Sequence, residues 1–319
     1  MARVHGVSSR AIIGRFYETL EGVMQGGWIN RLAMTVQSDQ ESETYRWLGM
    51  APALREWKGG RLAKSLRTNG ITIENKKWEA TLAIDADDAR RDKTGQIQVR
   101  IDEMADRVAD HPHKLLSMLI TNGHNKVCYD NQYFFDTDHS EGDSGVQKNL
   151  LTSSEIEELA VGSETAPTPA EFSIAILHVI GWMFGFKDDQ GEPMNGNARE
   201  FLVQVPVTLW PSAYQAAAKD MLFAAAGAVA PNVLKGGDLK VDVVCNPLLT
   251  WTKEFGVFRT DGRAKPFIYQ VELPLQVKAV AEGSEHEFDE DEHKYGVKTI
   301  HNAGYGLWQH AVKAEFTTA

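Results

Sequence analysis

Only two cysteines, Cys128 and Cys245, occur in 319 residues, far apart and in no metal-ligand spacing, so two buried thiols in a reducing compartment are expected. Long apolar runs are missing as well. The most apolar segment, 172–186, is interrupted by Ser173 and His178 and falls short of the roughly 20 residues that cross a bilayer. The opening MARVHGVSSRAIIGRFYETL has no extended apolar run and no small-residue cleavage site, which argues against a secretory signal. Basic charge is also scarce. A net charge of −11 and a pI near 5.4 have the wrong sign for tight binding to nucleic-acid phosphates. The chain contains no glycine-rich phosphate loop, no G-x-S-x-G and no H-E-x-x-H, and each absence weakens an enzyme reading. What is present is an apolar fraction of 43%, enough for a substantial core in one large domain or two ordinary ones. The chain reads as a soluble, intracellular product.

Organisation follows from periodicity. Ile12 to Met24 is a short amphipathic stretch, and Trp28, Ile29, Leu32 and Met34 follow without a local partner, as in an arm that packs elsewhere. Residues 54–80 hold seven basic residues against three acidic ones, which makes this piece +4 and the remainder −15. Ile71 and Ile73, then Trp78, Ala80, Leu82 and Ile84, alternate as in half-buried strands, and Gly59-Gly60 and Asn69-Gly70 signal turns. A long basic hairpin-like excursion fits this pattern. An ordinary solvated hairpin would fit too, but Trp57 and Trp78 are costly residues to leave on a solvated loop.

Residues 96–122 carry apolar positions at three- and four-residue intervals and predict a long amphipathic helix, kinked or broken near Asp110 to Pro112 and stopped at Gly123. From Leu151 the pattern becomes mixed. A capping box at Thr168 to Glu171 opens an apolar helix, 201–207 and 239–245 read as strands, and 211–230 reads as an alanine-rich helix. Two strands are expected around the Asp261-Gly262 turn, a mobile charged loop at 285–293, and closing strands at 295–300 and 305–316 packed on the long helix.

The densest chemistry lies in KVCYDNQYFFDTDHS, residues 126–140, where Asp130, Asp136, Asp138 and His139 offer metal-ligating and acid–base groups. A carboxylate cation loop needs a glycine-permitted turn and oxygen ligands at regular offsets, and here Phe134 and Phe135 stand where ligands would be wanted. The competing reading is a structural turn, with the aromatics as anchors and Asp138 and His139 as its hydrogen-bonding pair. His111, His113 and His124 match no ligand motif and read as surface or capping residues.

CYDNQYFFDTDH after an amphipathic helix resembles the corresponding segment of the major head subunits of Mu-like phages, with Ser140 where relatives commonly carry proline. YRWLGMAPALREW (45–57), GITIENKKWEATLAI (70–84), PFIYQ (266–270) and YGVKTIHNAGYGLWQHA (295–311) resemble further segments of that family in the same order. The resemblance implies an α+β chain with the tailed-phage capsid fold named after phage Hong Kong 97. Its parts would be an N-terminal arm (1–45), an extended β-hairpin loop (46–90), a peripheral domain on a long spine helix (91–150), an axial domain (151–280) and a return to the peripheral domain (281–319).

The function so implied is that of a major capsid protein, not an enzyme, which self-assembles into an icosahedral head around double-stranded DNA. It would have no catalytic residue, cofactor or metal. Its place would be the virion and, during assembly, the host cytoplasm. Its partners would be copies of itself in pentamers and hexamers, portal and scaffolding proteins and optionally a decoration protein, with DNA touched non-specifically at most and no membrane. The chain starts directly with the arm and shows no charged helical prodomain, from which the family comparison implies a separate scaffold. Subunit contacts are expected at Arg55, Trp57, Lys58, Arg61, Lys64, Arg67 and Trp78. The alternative is a metal-dependent hydrolase built on Asp130, Asp136, Asp138 and His139.

Overall fold

The structure is a computed structural model that describes residues 9–24, 27–46, 70–91, 95–223, 229–235 and 237–319. Two sheets organise these residues. The first has four strands, β1 (Ala33–Gln37), β14 (Phe267–Val280), β15 (Glu292–Tyr305) and β4 (Lys76–Asp85), in the order β1-β14-β15-β4. β1 runs parallel to β14 and the other pairs are antiparallel. Along β14 and β4 the side chains alternate between half-buried and exposed, so one face takes cover and the other does not. The cover is helical. Ile12, Phe16 and Leu20 of α1 (Ser9–Met24) and Ile101 and Ala105 of α4 (Gln96–Ala109) form one apolar cluster with Tyr295 and Val297 of β15. The segment without a local partner, Trp28, Ile29, Leu32 and Met34, packs on the main core of its own chain.

The long helix is broken where proline dictates. α4 ends at Ala109, Asp110 is shared, and α5 (His111–Thr121) begins with Pro112 in its first turn. Proline lacks the N–H that would bond the carbonyl four residues back, and its ring crowds that carbonyl, so an uninterrupted helix is costly by about 3 kcal/mol. Past the break, α5 buries Leu116 and Ile120 in the main core beside Phe134 and Phe135. Three short helices complete this half: α2 (Ile29–Leu32) before β1, α3 (Ala86–Arg91) after β4, and α8 (Glu285–Glu290) between β14 and β15.

The second sheet runs β12 (Lys240–Cys245), β9 (Glu200–Val205), β13 (Glu254–Arg259), β16 (Ala311–Glu315) and β7 (Leu150–Leu151). Its central strands are buried on both faces, and α6 (Pro169–Phe184) packs Phe172 against Phe255 and Phe316 at 5.0 and 5.1 Å. The Thr168 capping box is present with both reciprocal bonds. Short pairs finish the fold: β2 (Ser42–Tyr45) with β3 (Ile71–Glu74), β5 (His139–Ser140) with β6 (Val146–Gln147), β10 (Met221–Phe223) with β11 (Val229–Pro231), and β8 (Ala160–Val161) with β17 (Thr317–Thr318).

Four local expectations are corrected. The strands either side of Asp261-Gly262 are not a hairpin, because β13 is apolar on both faces and takes β9 and β16 as neighbours while β14 enters the other sheet. The alanine-rich helix is only α7 (Trp210–Ala218), since Asn232 Nδ2 donates to the carbonyls of Ala216 and Lys219 and closes its last turn. The charged loop at 285–293 is α8 followed by the start of β15. Ser284 caps that helix through Glu287 N, two glutamates complement its N-terminal dipole, and Asp291 ends it in a left-handed conformation at φ 52°. The closing strands are not one ribbon, since β15 lies in the first sheet and β16 in the second. At the crossing, Gly306 lies so close to the Lys265 carbonyl that a Cβ would collide with it. Of the last strands, β14 (267–280) thus joins the helix-covered sheet and β16 (311–315) joins the other.

Candidate functional site

The Asp-rich turn is a closed, buried network. Asn131 takes a left-handed conformation at φ 68°, which folds the chain so that Asp130 Oδ1 accepts from Gln132 N at 3.1 Å and from Cys128 Sγ at 2.9 Å. Asp130 Oδ2 lies 2.6 Å from His139 Nδ1, and the two side chains are 2% and 0% exposed. His139 Nε2 is 3.2 Å from Asn149 Oδ1. That amide is oriented by its other bonds, because Nδ2 donates to Phe134 O and Ala311 O while Oδ1 accepts from Asp136 N. Both ring nitrogens of His139 therefore face oxygen atoms, those of Asp130 and Asn149. The Trp308 ring stacks on it at 3.9 Å and 9° and shields the pair from solvent. Burial alone would raise the Asp130 carboxyl, but the hydrogen bond and charge of His139 outweigh it and hold the group below the usual carboxylate range. Burial, with the Asp130 charge added, pushes the Cys128 thiol well up.

Ligand atoms of Cys128, Asp130 and His139 lie within 4.8 Å of one another, close enough to raise the question of a metal. The donor set does not fit one. The thiol is held protonated, and both imidazole nitrogens already have partners in Asp130 and Asn149, so an ion would have to break the network that orients its ligands. Of the four residues considered from sequence, Asp130 bonds His139 while Asp136 and Asp138 interact with each other beside them. Asp136 accepts from the backbone N–H groups of Tyr133 and Thr137, and Asp138 is exposed. The expected Asp138–His139 pair is thus an Asp130–His139 pair, because the left-handed turn at Asn131 brings the earlier aspartate under the ring. Asn149 and Trp308 complete the network and went unassigned in sequence, being 10 and 169 residues from His139 with no local motif to mark them.

Of the residues expected at subunit contacts, Arg55, Trp57, Lys58, Arg61, Lys64 and Arg67 lie outside the described residues, and Trp78 lies within them. The root of the excursion is well defined. β2 and β3 pair antiparallel, with Tyr45 opposite Ile71 next to the 47–69 segment. Tyr45 Oη donates to Gln270 Oε1 at 2.7 Å, Gln270 Nε2 donates to Ile73 O, and Asn302 Nδ2 donates to Glu74 O, so the root is fastened to the first sheet. Burial, then Glu43, pushes the Tyr45 phenol up to about 12. Trp78, on edge strand β4, is half-buried within its own chain: Nε1 donates to His301 O at 3.0 Å, and its ring lies 4.3 Å from that of His111. Beside it, an apolar groove of about 910 Å³ runs between α4 and the first sheet.

Comparison with known proteins adds sequence and fold relationships. The family model described as Mu-like prophage major head subunit gpT matches residues 10–166 and 237–318. The major capsid protein of Escherichia phage Mu is 39% identical over 110 residues, 34% of this chain and 36% of that protein. The Mu-like prophage FluMu major head subunit of Haemophilus influenzae is 38% identical over 111 residues, 35% of this chain and 36% of that protein. The aligned stretch thus spans about a third of each curated relative. Among solved structures, a chain of the bacteriophage JBD30 procapsid superposes with a TM-score of 0.55 at 21% identity, covering 97% of this chain and 75% of that one. A chain of the cyanophage P-SCSP1u capsid gives 0.54 at 13% identity, covering 91% and 87%. The fold is therefore the Hong Kong 97-like capsid fold.

Proposed function

This chain belongs to the family of Mu-like prophage major head subunits, and we propose that it is a major capsid protein, which self-assembles into the icosahedral head of a Mu-like tailed phage around double-stranded DNA. The observation that carries this reading is the rooted excursion. The strands β2 and β3, which flank a strongly basic segment with Trp57 in an otherwise acidic sequence, are fastened to the inner strands β14 and β15 of the first sheet, a placement that suits contact with another copy. Complementary charge sets orientation and encounter rate, and aromatic anchors concentrate binding energy. Many weak copies of one contact then sum over a closed shell.

Within this reading Arg55, Trp57, Lys58, Arg61, Lys64, Arg67 and the half-exposed face of Trp78 contact the neighbour. The helix-covered sheet is the peripheral domain, the second sheet with α6 and α7 is the axial domain, and residues 46–90 are the extended hairpin loop. Portal, scaffolding and decoration proteins are its further partners, DNA is touched non-specifically at most, and its place is the virion after assembly in the host cytoplasm. The closed Asp130–His139 network, with its protonated thiol and committed imidazole, gives the hydrolase alternative no reactive group to work with.

Negative-stain microscopy with light scattering of the purified chain tests the proposal. Shells, or pentamers and hexamers, support it. A persistent 35.5 kDa monomer at high concentration, with and without a co-expressed scaffold, would refute it.

A further inference from the structure

His111 opens α5 at the break in the long helix, and its Nδ1 lies 2.9 Å from His301 Nε2 on β15. Trp78 completes a three-way contact: its ring lies over His111, stacks at 28° to His301, and its Nε1–H bonds the His301 carbonyl. Three elements thus meet at one pair of imidazoles: the helix break, the central strand of the first sheet, and the edge strand that leads back from the basic excursion. We propose that the His111–His301 pair is an acid-sensitive latch, which fastens the helix break to the root of the excursion at neutral pH and releases it when both rings are protonated.

The bond requires one ring to donate and the other to accept. A single added proton can be held between the rings, but a second places two N–H groups and two positive charges face to face at 2.9 Å, and only separation relieves that. On and just before α5 stand Lys114, His113 and Asp110, whose carboxylate lies 3.9 Å from His113 Nδ1; Arg100, Glu103 and Arg107 of α4 line the same groove. β4 supplies Lys76, Lys77 and Glu79 around Trp78, and Lys298 precedes Thr299 on β15. β14 supplies Tyr269, its ring 5.4 Å from that of His301, and Thr299 Oγ1 lies 3.0 Å from His301 Nδ1. Among the described residues no carboxylate bonds either ring. Burial pushes His301 down to about 4, with His111 adding to the shift, and burial and then Lys114 push His111 down.

The sign follows from linkage. A histidine depressed in the closed state and ordinary in the open one binds more protons when open, so closure is complete above about 6.5 and is lost as pH falls from there toward 4. At pH 5 local opening should rise on the order of tenfold.

Hydrogen exchange followed by mass spectrometry on the full chain at pH 7 and pH 5, corrected for the intrinsic pH dependence of exchange, tests this. Peptides from 76–82 and 105–116 should lose protection on the order of tenfold at pH 5 while the 200–205 strand does not. His301→Gln and His111→Gln, whose amides hydrogen-bond without titrating, should each remove the pH dependence. Unchanged protection in the unmodified chain, equal loss in all three segments, or the same loss in both variants would overturn the proposal. Should a variant not fold, the segment comparison in the unmodified chain decides, local loss supporting the latch and uniform or absent loss refuting it.

Discussion

Replacing Asp130 by asparagine removes one charge and little volume, and takes from the fully buried His139 ring its carboxylate partner. Losing a buried hydrogen bond to a charged group costs about 1.5–3 kcal/mol. Asp136→Asn is the internal control. That carboxylate accepts two backbone N–H groups at a half-buried position, and an asparagine oxygen can keep one of them, so about 0.5–1.5 kcal/mol is expected. At roughly 2 °C per kcal/mol for a chain of this size, Asp130→Asn should lower the melting temperature by about 3–6 °C and Asp136→Asn by about 1–3 °C. A double-mutant cycle isolates the pair: His139→Gln should cost less in the Asp130→Asn background than in the unmodified chain, with a coupling of about 2 kcal/mol. The pH dependence has a defined sign. The Asp130 carboxyl is lowered in the fold, so its contribution is complete above the ordinary carboxylate range and is lost as pH falls through the lower folded value. Elemental analysis should find no stoichiometric divalent ion, and a chelator should leave the melting temperature unchanged. Equal effects of the two asparagine substitutions, additive energies in the cycle, or one bound metal per chain would each refute the buried-network account.

Trp308→Ala should cost about 3–5 kcal/mol and leave much of the protein insoluble on expression, because the ring is fully buried between His139 and Phe186; a soluble variant with unchanged melting would remove that packing role. His310 is pushed down to about 4 by burial first and by Arg259 second, so up to about 3 kcal/mol of stability should disappear as pH falls from about 6.5 toward 4, and His310→Asn should flatten urea midpoints over that range. Reversing the charges of Arg61 and Lys64 together should slow or abolish particle formation, read by light scattering, while circular dichroism and melting stay as in the unmodified chain; normal particle yield would sink the charge-guided contact.

Much of the fold was legible because it follows from local rules. Period 3.6 through residues 96–121 and the cost of Pro112 in a helix interior determined both the long helix and its break. The Thr168 capping box, the strands at 200–205 and 240–245, and the alternating strands β3 and β4 were likewise carried by spacing and turn residues. Sequence also marked residues 126–140 as special; of the aromatics read as anchors Phe134 and Phe135 are buried, whereas Tyr133 is 45% exposed. Which groups that turn joins was decided elsewhere. Asp130 rather than Asp138 pairs with His139 because of one left-handed residue, and Asn149 and Trp308 arrive from distant segments whose approach no local pattern encodes. The same holds for the strands after 254. A strand's own alternation says how many of its faces are buried but not which neighbours bury them, so β13, β14, β15 and β16 were visible as strands while their division between two sheets was not. Periodicity is a property of the backbone and its nearest residues. Pairing across hundreds of residues, and the bonding of buried groups such as His139, His301 and Trp308, depends on which apolar faces the whole chain can cover at once.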